Sequence, residues 1–491
     1  MGCKIKLVGD VLCGRAMTTN RRPNIVWLTL DSVRTDRTSL AGYHRDTTPQ
    51  MQRIADDADG QAFTDCVSHA MWSLPSDSSI LTGTYPAHHG TGLWNDVLPP
   101  DITTVPERFS ELGYRTVGIS QNAYCSDSTG LSRGFDEFTW MHKSNLLQTA
   151  GPRILLRYLL GLRKHSAGYT TTPSRHRPEF IATEVAKRQL SSYAGGDDPF
   201  FMFVHTQGAH LPYIPPLPYR DAFTDDIELS TEEAVEVAFD RSMNYYREIA
   251  NGCEFSAAEK EAIDAMYDGV LAYADQQVGD LFDHVQSLDA GPTIFVVTGD
   301  HGDLLGEHGV IGHQFSLHDG LVNVPTVVHG LPSATDLPSD SLVQHIDVMQ
   351  MLLAEAGASD SALDELQGID PREEERTYAL SQRGNETYET AVEQVRTHNP
   401  DADLGRFQSG LLHAVRSDEY KWLRGDRGDE LYRLDDEDTD VSAAHPSVAE
   451  EHRAFFEAFS ERLGRGRRNT EKREMSSAMK KQLSDLGYVM D

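Results

Sequence analysis

Along this chain the apolar residues gather in short continuous runs, separated by polar loops rich in glycine and proline. Asn24 to Leu30 (NIVWLTL), Pro199 to Thr206 (PFFMFVHT) and Thr293 to Thr298 are of strand length and largely apolar, and Thr116 to Ser120 predicts a further strand. Strands of that kind are covered on both faces, the condition of a parallel sheet flanked by helices. Helical stretches lie between them, one near Pro49, one from about Ala257 to Leu288, and SLVQHIDVMQMLLAEAG, which Gly357 stops. The run LVNVPTVVHG predicts one more short strand. This alternation gives an α/β fold with a large central, mostly parallel sheet between helices. From about Glu374 the chain becomes more charged, and LLHAVRSDEYKWLRG with DELYRL predicts an antiparallel hairpin in a smaller C-terminal domain. The resulting organisation is a disordered extension over 1–22, a main domain over 23–375, a smaller α/β domain over 376–463, and a tail over 464–491 closing in a short helix.

In open α/β sheets, ligands and reactive groups collect beyond the carboxyl ends of the strands, so the polar residues there are the first to weigh. The first strand runs into Asp31, with Arg34 and Asp36 close enough to brace it. The strand ending at Ser120 is followed by Asn122, and PFFMFVHT empties into QGAHLPYIPP, where His205 and His210 lie and prolines stiffen the loop. His210 is the better candidate for general acid work or oxyanion binding. The strand to Thr298 opens into GDHGDLLGEHGVIGHQ, with Asp300 and His301 at its exit and His308 and His313 further on. Two carboxylates and an imidazole from different strands make a mixed oxygen and nitrogen site for a hard or borderline divalent cation. The remaining element is MWSLPSDSSILTG. Pro75 suits a first helical turn, which leaves Ser73 just outside a helix N-terminus, where an anionic ester is favoured; a plain capping serine is the alternative. His88, His89 and Asn95, in the loop GTYPAHHGTGLWND, are further candidates to face the same pocket.

Composition narrows the partners. With 76 acidic against 44 basic residues the formal net charge is −32, and the acid is spread along the chain. Nucleic acid is therefore excluded as a natural partner, and a hydrated acidic surface of the kind that works at high salt is expected. Five cysteines show no paired spacing, so neither a disulfide framework nor a zinc site is implied. The apolar start IKLVGDVLCG is interrupted by Asp10 and shows no cleavage pattern, and no apolar run reaches membrane-spanning length, so a cytoplasmic protein is expected. One segment departs from the rest: GPRILLRYLLGLRKHSAG, residues 151–168, is basic and very apolar. It reads either as a lid or surface helix for membrane or lipid-like substrate contact, or as a packed helix with Arg153, Arg157 and Arg163 reaching outward.

Taken in order, NIVWLTLDSVRTD, SLPSDSSILTGTYPAHHG, PFFMFVHTQGAHLPYIPP, VVTGDHGDLLGEHGVIGH, VPTVVHG, HIDVMQMLLAEAG, VRSDEYKWLRG with DELYRL and a closing LGYV resemble the sulfatase family of the alkaline phosphatase superfamily. The resemblance implies an alkaline-phosphatase-like α/β fold and one divalent cation (Ca, Mg or Mn). It also implies a nucleophile that is formylglycine made from Cys or Ser, or an unmodified Ser or Thr. By the same resemblance Asp31, Asp300 and His301 are metal ligands, and Ser73 is the nucleophile with an oxygen on the metal. His210 binds the substrate oxyanion, His313 stands where sulfatases often have Lys, and Asn95, Asn122 and Asp77 are weaker, substrate-binding candidates. Three differences stand out. Asp77 takes the place of the Arg that steadies the nucleophile and marks it for maturation, which argues against formylglycine at Ser73. Ser32 takes the place of a second Asp, and the Lys and His of arylsulfatase pockets have no counterpart. The expected activity is hydrolysis of a small anionic ester, a sulfate ester first. Phosphomonoester or phosphodiester hydrolysis, or phosphotransfer, by unmodified Ser73 is the alternative, and a non-catalytic binding protein of the same fold is a third.

Overall fold

The computed structural model describes residues 21–170, 172–463 and 466–485, so most of the N-terminal extension and the closing LGYV lie outside the described residues. A seven-stranded sheet forms the centre. Its strands are β1 (Asn24–Leu30), β2 (Gly60–Val67), β3 (Arg115–Ser120), β4 (Glu137–Trp140), β5 (Phe200–Thr206), β6 (Thr293–Gly299) and, after the two-residue strands β7 (Leu304–Leu305) and β8 (Ile311–Gly312), β9 (Asn323–His329). The spatial order is β2-β9-β6-β1-β5-β3-β4. The LVNVPTVVHG run, β9, lies antiparallel to both β6 and β2, and the other paired strands are parallel. Every residue of β1 and β5 is buried, as the continuous apolar runs require.

Register decides where chemistry can gather. Leu30 is level with Thr206 of β5 and with Gly299 of β6, so the chain leaves all three strands at one edge, beside the end of β3. The helix Ala257–Ser287 covers one face with a capping box from Ser256 and Glu259, and His345–Glu355 packs on the other, beyond which Gly357 turns away at φ 87°. The basic segment is part of a longer helix, Leu146–Leu160, broken at Gly151, followed by Leu162–His165.

The smaller domain holds four antiparallel strands where the alternation shows only a hairpin. They are β10 (Ala379–Arg383), β11 (Leu412–Arg416), β12 (Tyr420–Gly425) and β13 (Gly428–Arg433), in that order. The helix Pro446–Leu463 packs Phe456 and Phe459 with Trp422 and Leu431, and Tyr85 of the main domain joins that cluster. Arg376 seals the junction by a two-pronged pair with the buried carboxylate of Asp347, its Nε 2.7 Å from Oδ2. Among the described residues no helix is long and apolar enough to cross a membrane.

Candidate active site

Ser73 is the first residue of the helix Ser73–Thr82 rather than a residue outside it, and its side chain caps nothing. All ten residues of this helix are buried although six of them are serine, threonine or aspartate. The polarity is absorbed locally: Ser78 and Thr82 bond back to carbonyls four residues earlier, and Ser76 donates to the Asp300 carbonyl at 2.8 Å. The Ser73 hydroxyl is left facing the strand ends. Its Oγ accepts from Asn122 Nδ2 at 2.8 Å and lies 3.3 Å from His301 Nε2.

Asp31, Asp300 and His301 close around it. His301 Nε2 is 3.4 Å from Asp31 Oδ1 and 3.6 Å from Asp300 Oδ2. Its Nδ1 donates to the Gly302 carbonyl at 2.9 Å, which turns Nε2 toward the two carboxylates, and against burial Asp300 and Asp31 raise the pKa of the ring. Burial and the neighbouring Asp300 push the Asp31 carboxyl up to about 8. Burial and a like charge close by both disfavour the ionised form of Asp31. The donor set fits a divalent cation, since three oxygens and one imidazole nitrogen converge and their burial is costly unless a positive charge joins them. Asp31, Asp300, His301 and Ser73 are the residues that would hold it.

Backbone shape fixes Asp31. The next residue, Ser32, adopts φ 61°, and Tyr267 Oη donates to its carbonyl at 2.8 Å. Gly208, at φ 51°, passes so close that a Cβ there would lie 2.3 Å from the Asp31 carbonyl oxygen. Arg34 and Asp36 pair with each other, and Arg34 reaches Glu307 at 2.9 Å and the Asp303 carbonyl at 3.0 Å, so they brace the Asp303 loop rather than Asp31.

Two residues, Asp303 and His205, gain importance that their sequence positions alone did not reveal. Asp303 Oδ1 is 2.7 Å from His313 Nδ1, and Asp303 also accepts from Tyr213 Oη at 2.9 Å and from Ser32 Oγ at 3.3 Å. Burial works against its charge, but the His313 imidazole holds its carboxyl below the usual range. His313 thereby stands between His301 and His210, its ring 4.6 Å and 5.2 Å from theirs. His205 sits between Asp77 and Asp300, at 3.3 Å and 3.4 Å, all three fully buried. Against the burial that lowers it, the two carboxylates raise the His205 pKa well above its ordinary value, so the ring is a cation shared by both. Asp300 is drawn well below the carboxylate range, against burial, by His301 and His205. Asp303 follows Asp300 by three residues in the loop after β6, and His205 is the next-to-last residue of β5.

Two expectations are corrected. Asp77 is not placed to touch a substrate: it is fully buried one turn into the helix and faces His205. Asn95 belongs to the tail, donating to the His89 and Arg467 carbonyls at 2.9 Å and 3.1 Å and accepting from Asn469 N at 2.9 Å. His89 is equally structural, buried between Ser79 Oγ and Thr91 N, and His308 pairs with Asp438 at 2.8 Å. Asn122, by contrast, is central.

A cavity of about 800 Å³ opens from this cluster. Asp31, Asn122, His205 and His210 lie at its base, and the tail helix Ser477–Asp485 supplies Lys481, Gln482 and Leu483 to its wall. His210 donates through Nδ1 to the Leu211 carbonyl at 2.7 Å, and burial with His313 beside it lowers its pKa to about 3, so the ring is neutral.

A family model described as Sulfatase matches residues 23–358. Among curated proteins the chain is 23% identical over 357 residues to the "Uncharacterized sulfatase YidJ" of Escherichia coli (strain K12), covering 68% of each chain. It is 24% identical over 370 residues to "Arylsulfatase K" of Gallus gallus, covering 71% of this chain and 66% of that one, just under two thirds of its length. Among solved structures it matches the phosphonate monoester hydrolase of Agrobacterium radiobacter at TM-score 0.66 and 19% identity, over 90% of this chain and 96% of the other.

Proposed function

This chain belongs to the sulfatase family, and from that premise we propose that it hydrolyses a sulfate ester, with Ser73 as the attacking residue. The observation that carries the reading is the position of Ser73 Oγ, 2.8 Å from the Asn122 amide and 3.3 Å from His301 Nε2, at a helix N-terminus facing two buried carboxylates. Asp31, Asp300, His301 and Ser73 would hold a divalent cation, which when bound would neutralise charge on the ester oxygens and lower the pKa of the hydroxyl. Asn122 orients the Ser73 oxygen for in-line attack. His210, neutral and at the cavity base, hydrogen-bonds the ester oxygens, and His313, held by Asp303, stabilises charge as the leaving group departs. A cytoplasmic setting belongs to the same proposal, because Cys66, Cys125 and Cys253 are free buried thiols. So does a surface adapted to high salt, testable by whether stability rises with salt.

A second reading has its own support. Asp77, committed to His205, replaces the Arg of the maturation pattern. An unmodified serine lacks the second hydroxyl through which a formylglycine hydrate expels sulfate, so water must cleave its covalent ester, a route suited to phosphate esters. Parallel assays of an aryl sulfate, a phosphomonoester and a phosphodiester, with and without Mg, Mn or Ca, separate the two. Mass spectrometry of the peptide across Ser73 reports its modification. Cation-dependent sulfate release that Ser73→Ala abolishes is the expected result, and preference for a phosphate ester with unmodified Ser73 would replace the first reading by the second. No turnover of any of the three would favour a binding protein.

A further inference from the structure

Residues 138–178 contain no aspartate or glutamate, the longest such stretch in a chain with 76 of them. The same stretch breaks the surface pattern in a second way. Among the described residues the large apolar side chains left exposed are Leu147, Leu156, Leu159, Leu160 and Tyr169, at 57–81% of their full exposure, and all five fall here. Their arrangement follows from helical spacing. Arg153, Leu156, Arg157 and Leu160 recur at three- and four-residue intervals on the outer face of Leu146–Leu160, and Arg163 and Lys164 continue beyond its end, while Ile154 turns inward. Arg157 is tied to Glu184, and Arg153, Arg163 and Lys164 are exposed. A leucine face edged with cations on an otherwise acidic protein has no use in aqueous solution.

The face is also continuous with the cavity above Ser73. Leu146, Tyr158, Leu159 and Leu162 belong to the cavity wall as well as to this arm, and Leu483 of the tail helix lies on that wall too. We propose that the arm from Leu146 to Tyr169 seats the protein on an anionic lipid surface, and that the site takes an amphiphilic ester from it, the charged head reaching Ser73 and the apolar part lying along Leu146, Leu159 and Leu162. The second half rests on the hydrolase reading above; the first does not. Complementarity of charge selects an anionic over a neutral surface, with the leucines entering the headgroup boundary. A second copy of this chain fits poorly, because an isologous contact brings the same cation-edged patch together from both copies, and residues 138–178 hold no carboxylate to pair with it.

The test is co-sedimentation of the full chain with phosphatidylglycerol and with phosphatidylcholine vesicles, beside its hydrolysis of a soluble aryl ester. Binding to phosphatidylglycerol about tenfold or more tighter than to phosphatidylcholine is expected. The double variant Leu156→Glu/Leu160→Glu, changed at sites outside the cavity wall, is expected to lose vesicle binding while its hydrolysis of the soluble ester and its melting temperature stay unchanged. The proposal is overturned by absence of vesicle binding, by equal binding to both lipids, by full binding of the double variant, or by a dimer that the double variant dissolves. Failure of soluble ester hydrolysis alone, with vesicle binding intact, would remove the hydrolase reading and leave the docking surface standing.

Discussion

Asn122 offers the sharpest test of how the site is organised. Its backbone is pinned by Ser120, whose Oγ accepts from Asn122 N and donates to its carbonyl, both at 3.0 Å. Its Oδ1 accepts from Tyr124 N at 2.8 Å, which identifies the other side-chain atom as the amide nitrogen. That nitrogen gives one hydrogen to Asp31 Oδ2 at 2.9 Å and the other to Ser73 Oγ at 2.8 Å. Asn122→Ala removes both. A hydrogen bond to a charged group is worth about 1.5–3 kcal/mol and a neutral one about 0.5–1.5 kcal/mol, so the loss is about 2–4 kcal/mol. Felt in the transition state, this lowers kcat/KM by about 30- to 1000-fold. With added divalent cation, which would keep Asp31 ionised against the burial that otherwise raises it to about 8, Asn122→Asp is worse at neutral pH, because two carboxylates about 3 Å apart repel by several kcal/mol even at an effective dielectric near 20. It regains activity as pH falls, since protonating either carboxyl restores a donor. The assay is kcat/KM on a soluble aryl ester across pH, with thermal melts to exclude misfolding. If the alanine variant stays within about threefold of the parent, or the aspartate variant exceeds it at neutral pH, the assigned orientation of this amide is wrong.

Other consequences follow from the same geometry. With no cation bound, the Asp31 carboxyl at about 8 binds its proton more tightly in the folded than in the unfolded chain, so its contribution to stability is fully present below the ordinary carboxylate range and is lost as pH rises through about 8. Adding Ca, Mg or Mn is therefore expected to raise the melting temperature more at pH 8 than at about pH 5, and equal increments would contradict the assigned ligands. Gly208→Ala forces a Cβ to within 2.3 Å of the Asp31 carbonyl oxygen at a left-handed φ, and denaturant unfolding should register a loss of about 3 kcal/mol or more. Asp77→Arg, which recreates the family's Arg in sequence, sets a second cation beside the buried His205 imidazolium; thermal melts should show destabilisation by about 3 kcal/mol or more rather than improved activity.

Much of the fold was legible because burial on both faces leaves a plain mark. The β1 run is apolar but for Asn24 and Thr29, and its predicted bounds, Asn24 and Leu30, are those observed. Strand β2, by contrast, alternates and is bulged between Phe63 and Cys66, so no continuous run announces it. The antiparallel direction of β9 is equally silent, since both its faces are buried whichever way it runs.

Which residues could do chemistry was written in the sequence: carboxylates and imidazoles that follow apolar strands must lie at a sheet edge, because a strand's end is where the backbone leaves the core. Asp31, Asp300 and His301 stand out on that ground and Ser73 by its helix start, and the first three converge because β1, β5 and β6 end level. Residue spacing carries no information about distance between strands, and that is where tertiary structure decided. It moved Asn95 to the tail and Asn122 to the centre, and it gave Asp77 a partner in His205, 128 positions away, so that a missing Arg became a buried shared charge. Side-chain type is local, but the partner that sets a group's charge and direction is chosen only when the chain is packed.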